Sequence, residues 1–408
     1  MTTSGPVPDV LGKLSLRDLM IDPYGTLGAI QESCPALPVE SVGYRMWVIT
    51  RHEDVRRVLA DPTVLRDVVE YRREINAGCM VRPMRRAHLP HASRRSFFDR
   101  DGENHHRLRS LVGGFFTPVR LNEVRPRVEQ VVRDVLDALP TGEPVDLVSR
   151  FAMPISGTVC LEMLGIPVED RDLLGTLSRG MISSLDIDEI ERSAQGLFDY
   201  AKALIPVKRA SSEDDLCSSL LQAHDNGQMT EDELASTYLL MIITSFEPAS
   251  AIGSGALALI SHPNQLATLV ADPRLFDSCV DEVVRYESPF RFLPPRYTSA
   301  ALEVGGVTIP AGELLLVSPG AANRDPAWFP APEVFEVTRD TVGHLGFGHG
   351  AHRCVGAALG RMQTSTALRA LFERYPEVRL AAPSERIRWQ PGKFMRRLQE
   401  LAVVLSDQ

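Results

Sequence analysis

The stretch Phe347-Gly348-His349-Gly350-Ala351-His352-Arg353-Cys354-Val355-Gly356 decides the fold of this chain. It is a loop punctuated by glycines, and the residues that follow it, 356–374, predict a helix. Glycines allow the backbone to approach a flat ligand closely. A cysteine at the start of a helix is favoured as a thiolate by the helix dipole and by the free backbone N–H groups there. The stretch therefore predicts a thiolate beside a flat ligand.

The same ten residues resemble the heme-binding signature of the cytochrome P450 family. That signature reads Phe-Gly, any residue, Gly, any residue, a basic residue, any residue, Cys, any residue, Gly. All six fixed positions match, and a chance match in a chain of this length is on the order of one in 10⁵ or rarer. The resemblance implies heme b as the cofactor and Cys354 as the axial iron ligand, with Phe347, Gly348 and Gly356 around it. A nucleotide-binding glycine loop fits poorly, because the chain has no GxGxxG or GxxxxGKS/T pattern.

A second motif of the family is Glu282-Val283-Val284-Arg285, about seventy residues before the cysteine. At positions i and i+3 of a helix the two charged side chains share one face. Alone, such a pair is typical of a solvated ion pair, but in the family it forms a buried network with an arginine of a later loop. Asn323-Arg324-Asp325-Pro326, Phe335 and Arg339 resemble that loop, and we expect Arg324 to be the partner.

Four basic residues match positions at which the family binds the heme carboxylates. They are His105, Arg109, Arg296 and His352. Carboxylates in a partly buried pocket need cationic, charge-assisted donors. The alternative for each residue is an ordinary surface charge, but the resemblance extends over roughly residues 40–405, nearly the whole chain.

Composition argues against several other classes of protein. The chain has 408 residues and a net charge of −9, whereas nucleic-acid-binding proteins usually present a strongly basic face. No run reaches the about 18 apolar residues that span a bilayer, and residues 1–20 lack the order of a signal peptide. A cytoplasmic protein is therefore expected. The six cysteines form no CxxC pair, and all but Cys354 are expected to be buried free thiols.

The pattern along the chain predicts one domain, 1–408, that is mainly α-helical with a small β-rich lobe. The lobe is expected at about 36–50, 296–318 and 378–405. The longest predicted helix covers 230–261, from the capping-box signature of Thr230 and Glu233 to His262-Pro263. The resemblance implies the cytochrome P450 fold, a triangular helical prism around the heme.

The sequence departs from the family in the middle of this long helix. The family usually has Ala-Gly, any residue, an acid and Thr there, and the acid and Thr help to deliver protons to dioxygen. The stretch here is Thr244-Ser245-Phe246-Glu247-Pro248-Ala249-Ser250. Counted from the helix start, Glu247 and Pro248 take the acid and Thr positions; counted from its end, Phe246 and Glu247 do. A proline removes a backbone N–H and bends a helix, so a kink is predicted at 246–250.

Two roles are open for Glu247. Burial beside Phe246 would favour its protonated form, which suits proton delivery, with Ser245, Ser250, water or a substrate hydroxyl completing the route. Alternatively, Glu247 binds a cationic or hydroxyl group of the substrate. Neutral drift of the motif is a third interpretation.

By resemblance, a set of mostly apolar residues lines the substrate pocket. They are Met80, Met84, Ile242, Ile243, Phe246, Phe290, Phe292, Leu293, Phe394 and Met395. Together they predict a mostly apolar substrate, although each could equally be plain core. Residues 66–95 hold eight arginines and three acids, which indicates either a solvated loop or contact with an anionic substrate or a carrier-bound acyl group.

The leading functional hypothesis is a monooxygenase that oxidises a small secondary-metabolite-type molecule with O₂. The chain has no reductase domain, so electrons would come from a ferredoxin and ferredoxin reductase. The ferredoxin would dock over the Cys354 face, where Arg107, Arg353 and Arg361 provide positive charge. One alternative is an oxidase that couples, closes or rearranges its substrate without net oxygen insertion, and another is a non-catalytic heme-binding protein. A monomer is expected, without nucleic-acid or membrane partners.

Overall fold

A computed structural model describes residues 23–41, 44–67, 94–211, 213–390 and 394–406. The predicted pocket residues Met80 and Met84, and most of the arginine-rich loop, lie outside the described residues. The described part of the chain is mainly helical and carries small sheets, as the sequence predicts.

The α-helices are numbered here in chain order. They are α1 (Pro23–Ser33), α2 (His52–Ala60), α3 (Gly102–Gly113), α4 (Pro118–Asp137), α5 (Met153–Leu164), α6 (Arg171–Ser183), α7 (Ile187–Ala210), α8 (Leu216–Asp225), α9 (Glu231–Thr244), α10 (Pro248–Ser261), α11 (Pro263–Ala271), α12 (Leu275–Tyr286), α13 (Pro319–Ala322) and α14 (Ala357–Arg374). Short 3₁₀ turns lie between some of them, including Gly350–His352 in the cysteine loop.

The strands form three sheets in the described part of the chain. They are β1 (Ala36–Ser41), β2 (Tyr44–Ile49), β3 (Val64–Leu65), β4 (Pro144–Asp146), β5 (Arg296–Thr298), β6 (Leu302–Val304), β7 (Val307–Ile309), β8 (Leu314–Val317), β9 (Arg379–Leu380) and β10 (Ala402–Val404). The sheets have the orders β1-β2-β8-β5-β3, β4-β10-β9 and β6-β7. Strand β4 was not expected from the sequence, because three residues are too few to show a period-two pattern.

The pairing register of strands β3 and β5 in the largest sheet positions two residues of the candidate site. Strand β3 pairs antiparallel with β5, and Leu65 stands opposite Tyr297. Continued by one residue, this register sets Arg66 opposite Arg296, and directly opposed residues lie on the same face of a sheet. The sheet therefore brings together two arginines that are far apart in the sequence.

The stretch Glu231–Ser261 runs through the middle of the helical part. By length and composition it could cross a membrane, which the sequence analysis overlooked, but most of it is buried inside the protein. Helix α9 begins with the predicted capping box, in which Thr230 and Glu233 each accept a hydrogen bond from the other's backbone N–H. Leu259 of α10 and Leu368 of α14 belong to the same buried apolar cluster.

The long predicted helix is interrupted where the sequence predicts a kink. Helix α9 ends at Thr244 and α10 begins at Pro248, which has no backbone N–H to donate. Just after the proline, Ser250 N–H donates to Glu247 O at 3.0 Å, with the i−3 spacing of a tight turn. The residues from Thr244 to Ser250 are called the helix break below.

Candidate active site

The cysteine loop takes its shape from hydrogen bonds and from glycine conformations. Cys354 N–H donates to Phe347 O at 2.8 Å, which closes the loop before α14 begins. Gly348 and Gly350 have φ angles of 72° and 71°, a region that residues with a side chain rarely adopt. A Cβ atom on Gly350 would also lie 2.3 Å from Leu59 O of α2. The backbone conformation therefore requires glycine at positions 348 and 350.

The Cys354 side chain reaches solvent but stands in a recess surrounded by protein. This desolvation raises the pKa of the thiol. The backbone N–H of Gly356 and the cations Arg109 and Arg353 lower the pKa, whereas the negative charge of Glu247 raises it. Of these influences on the pKa of the thiol, the charge of Glu247 in the helix break is the smallest.

Arg109 of α3 connects the cysteine loop to the helical part. Its Nη2 atom donates to Arg353 O at 2.5 Å. Burial lowers the pKa of Arg109, and the neighbouring Cys354 raises it. Arg109 thus holds the loop backbone and places a positive charge next to the sulfur.

Basic side chains from four parts of the chain meet beside the cysteine loop. The rings of His105 and His352 lie 4.3 Å apart. Burial, with repulsion from Arg66 as the next cause, lowers the pKa of Arg296 to about 10. Burial likewise lowers the pKa of Arg66 to about 10. We call His105, His352, Arg296 and Arg66 the basic cluster. The sequence analysis predicted the first three as heme-binding residues, and it missed Arg66.

Asp101 positions His352, a member of the basic cluster. Its carboxylate accepts the backbone N–H groups of Arg66 at 2.6 Å and Asp67 at 2.9 Å, and its other oxygen lies 3.2 Å from His352 Nε2. Burial by itself would raise the pKa of Asp101, but these hydrogen bonds outweigh burial and lower it. Neither Arg66 nor Arg296 makes an ion pair with another described residue, so the cluster can still bind an anion.

The residues present fit a heme group. Among the described residues, His105 Nε2, His352 Nδ1 and Arg296 Nε are buried and have no hydrogen-bond partner. Buried polar atoms in proteins nearly always have one, and donors of this kind suit carboxylates. Cys354 would bind the iron, and the basic cluster and Arg109 would hold the two carboxylates. The site therefore has the features of a heme-thiolate protein.

The Glu282 and Arg285 side chains form a buried network. Their side chains are 1% and 0% exposed, and Arg285 Nε lies 2.6 Å from Glu282 Oε2. Arg285 also donates to three backbone carbonyls, those of residues 323, 332 and 334. The network fixes α12 against the loop that leads to the cysteine.

The prediction that Arg324 completes this network is wrong. Arg339 does so, because its Nε atom lies 3.3 Å from Glu282 Oε1. The Arg324 side chain instead donates to Tyr286 O at 2.7 Å and lies 3.7 Å from Glu287. Both arginines follow α12 in the sequence, and only the path of the loop decides which one reaches Glu282.

The helix break contains an ion pair that the sequence analysis missed. Glu247 pairs with Arg397, which comes from the turn before β10. The local signal was the pair Arg396-Arg397 between the apolar residues Met395 and Leu398. Ser245, another predicted site residue, donates its hydroxyl to Met241 O at 2.8 Å, so it is bound within its own helix.

Three predicted pocket residues pack in the core instead. Ile242 and Phe292 have no accessible surface and belong to two buried apolar clusters. The Phe246 ring lies against α5, where a Cβ on Gly157 would come within 2.7 Å of it. A residue without accessible surface cannot line a cavity, so the predictions for Ile242 and Phe292 are wrong, whereas Phe246 is 7% exposed and stays a prediction. The half-buried residues Ile243, Phe290, Leu293 and Phe394, and the more deeply buried Met395, remain predictions.

The three arginines predicted to attract a ferredoxin differ in their surroundings. Arg353 is exposed. Arg107 lies 2.7 Å from Glu233, in the capping box of α9, and Arg361 Nε lies 2.6 Å from Asp281. The charges of Arg107 and Arg361 are therefore partly neutralised by carboxylates of the same chain.

Comparisons with known proteins agree with this geometry. The sequence profile of the family described as Cytochrome P450 matches residues 180–381. Cytochrome P450 107B1 of Saccharopolyspora erythraea is 35% identical, over 98% of this chain and 99% of its own length. The tirandamycin C-bound P450 monooxygenase TamI has a TM-score of 0.88 and 31% identity, covering 97% of this chain and all of its own (100%). P450BioI, in complex with an acyl carrier protein carrying hexadec-9Z-enoic acid, has a TM-score of 0.85 and 30% identity, covering 95% and 100%.

The chain therefore belongs to the cytochrome P450 family. It is a heme-dependent monooxygenase of the bacterial, biosynthetic type, and heme b is its cofactor.

Replacing Arg296 by Gln should weaken heme retention. One charge-assisted hydrogen bond is lost, which corresponds to about a ten- to hundredfold faster transfer of heme to apomyoglobin. The rate can be followed by absorbance without any turnover. Arg374→Gln, in an exposed pair with Asp137, is the matched control. An Arg296→Gln rate equal to that of the control would remove Arg296 from the heme site.

Proposed function

We propose that this monooxygenase oxidises a small, mostly apolar, secondary-metabolite-type molecule with electrons supplied by a ferredoxin and its reductase. The observation that carries the proposal is that the cysteine loop and Arg109 stand beside a cluster of basic side chains with buried, unpartnered donor atoms. The protein acts as a monomer in the cytoplasm.

The redox chemistry comes from the heme, whose thiolate ligand favours cleavage of the O–O bond. Arg109 and the N–H of Gly356 stabilise the thiolate of Cys354. His105, Arg296 and His352 orient the heme by binding its carboxylates. The half-buried apolar residues of the pocket exclude water and bind the apolar part of the substrate.

Protons enter the site at the helix break. Ser250 is the hydroxyl residue that suits this role, because it follows Glu247 by three positions and shares its helix face. Ser245 is less suitable, since its hydroxyl is bound to Met241 O and its carbonyl accepts the Ser156 hydroxyl at 2.7 Å. Of the two roles open for Glu247, its pairing with Arg397 supports contact with the substrate over proton delivery.

Replacing Ser250 by Ala should leave substrate affinity unchanged and reduce the fraction of electrons that reach product. Loss of a positioned proton donor typically costs on the order of 10² in rate, and the electrons then appear as hydrogen peroxide. The measurement is product and peroxide formed per NADPH oxidised. Ser261→Ala, at the exposed end of the same helix, is the control. Unchanged coupling in Ser250→Ala would show that protons take another route.

We also propose that an anionic or carrier-bound substrate contacts the arginine-rich stretch, residues 66–95, through its charged group. P450BioI, a similar protein, binds an acyl carrier protein that carries a fatty acyl chain. Residues 66–95 hold eight arginines and three acids here. An anionic or carrier-bound substrate would find a complementary charge in this stretch.

Turnover with a surrogate ferredoxin and reductase tests the proposed function. Mass spectrometry of the product distinguishes the reaction types: oxygen insertion adds one oxygen atom, whereas coupling, ring closure or rearrangement adds none. Either Pro248 or Glu247 takes the position where the family usually has a hydroxyl residue, and this departure favours the second type as the alternative. A protein with a normal heme spectrum and no product from any candidate substrate would instead be a heme-binding protein.

A further inference from the structure

Arg397 and Glu247 form a partly buried ion pair between two segments separated by 150 residues. Their side chains are 10% and 18% exposed. The turn that carries Arg397 is fixed by its backbone: Arg397 O accepts Gln390 N–H at 2.8 Å, and Gln390 Oε1 accepts the Ser183 hydroxyl at 2.9 Å. The Arg397 side of the pair is therefore held by hydrogen bonds to the rest of the chain.

Buried apolar residues flank Arg397 along the chain. Leu398, the next residue, is buried and lies 3.6 Å from the position a Cβ on Gly253 would take. Met395 is buried and pairs with Phe290 across a β-bridge. Two charges in such surroundings need further hydrogen bonds to be stable.

The pair has two polar atoms without a partner among the described residues, Glu247 Oε2 and Arg397 Nε, and both are buried. The first is an acceptor and the second is a donor. A ligand group that complements both must itself donate one hydrogen bond and accept another. Hydroxyl and primary carboxamide groups have this property.

The net charge of the pair further limits which ligand groups can bind to it. Glu247 and Arg397 together have no net charge, so a charged ligand group would remain an uncompensated charge in an apolar environment. A neutral group adds hydrogen bonds without adding charge. Glu247 lies in the helix break, the stretch in which, by resemblance to the family, protons are delivered to dioxygen.

We propose that Glu247 and Arg397 bind a neutral hydroxyl or carboxamide group of the substrate, with Glu247 accepting its hydrogen and Arg397 donating to its oxygen. This inference rests on the proposed function and names the polar group of the substrate. It places that group at the helix break, so oxidation occurs on the part of the molecule that adjoins it.

Ligands that differ only in their head group test the proposal on the heme-loaded protein. The probes are decan-1-ol, 1-methoxydecane, decanoate and decyltrimethylammonium, and the readout is affinity by equilibrium dialysis. The ether is the more apolar neutral ligand but has no hydrogen to donate, so an ordinary apolar pocket would favour it. We expect decan-1-ol to bind about tenfold more tightly than the ether, and decyltrimethylammonium to bind more weakly than the alcohol.

Variants of the pair should change this order in predictable directions. Arg397→Gln leaves a lone carboxylate and should raise the relative affinity for decyltrimethylammonium. Glu247→Gln leaves a lone guanidinium and should do the same for decanoate. The double change Glu247→Leu with Arg397→Met should reverse the preference between alcohol and ether. Arg374→Gln, in the exposed pair with Asp137, should keep the wild-type order.

The ligand series measured on the wild-type protein tests the proposal even if the variants fold poorly. A wild-type protein that prefers the ether, or binds decyltrimethylammonium as tightly as the alcohol, overturns the proposal. The reduced carbon monoxide spectrum is recorded on the same sample. Loss of its thiolate-type band would refute the proposed function, whereas a normal band with no preference for the alcohol would refute only the role of the pair.

Discussion

Cys354→Ser is expected to abolish the thiolate-type absorption of the reduced carbon monoxide complex and, with it, monooxygenase turnover. A serine hydroxyl is a far weaker acid than a thiol, so it cannot supply the anionic sulfur on which O–O cleavage depends. The surroundings would change little, because Gly356 N–H, Arg109 and Arg353 would still face the side chain.

Cys354→His separates loss of the heme from loss of its thiolate ligand. Imidazole also binds heme iron, so this variant should retain heme but give an imidazole-type spectrum. Cys160→Ser is the control, since Cys160 is a free cysteine that lies against Gln363 rather than in the cysteine loop. A thiolate-type band in either Cys354 variant would show that another residue binds the iron.

Glu282→Ala is expected to give little folded, heme-loaded protein. The change would leave the guanidinium groups of Arg285 and Arg339 facing each other without their shared carboxylate, and these side chains are 0% and 8% exposed. Removing one partner of a buried ion pair typically costs about 3–5 kcal/mol. That is a large fraction of the about 5–15 kcal/mol by which most domains are stable.

Asp277→Ala is the matched control for this prediction. Asp277 lies on the same helix, α12, and its side chain is 70% exposed and 3.9 Å from Arg369. An exposed pair of this kind contributes about 0–1 kcal/mol. Heme content per protein and urea unfolding measure both variants. Equal stability of Glu282→Ala and Asp277→Ala would mean that the Glu282 network is dispensable.

The sequence by itself determined the features whose causes are local. Gly348, Gly350 and Cys354 lie within the ten residues of the loop; the two glycines adopt φ angles that favour glycine, and Cys354 is the cysteine of the heme-binding signature. The capping box of α9 depends on residues three positions apart, and the interruption of the helix depends on the missing N–H of Pro248. Short-range rules of this kind can be read without knowing the fold.

Only the tertiary structure decided which distant residues meet. Arg339 reaches Glu282 across 57 positions while Arg324, which is nearer in the sequence, does not. The pairing of β3 with β5 brings Arg66 to Arg296. The ion pair of Glu247 with Arg397 depends on the position of the last turn over the helix break. Charged side chains can pair with many partners, and the packing of apolar elements around them, rather than any local pattern, selects one.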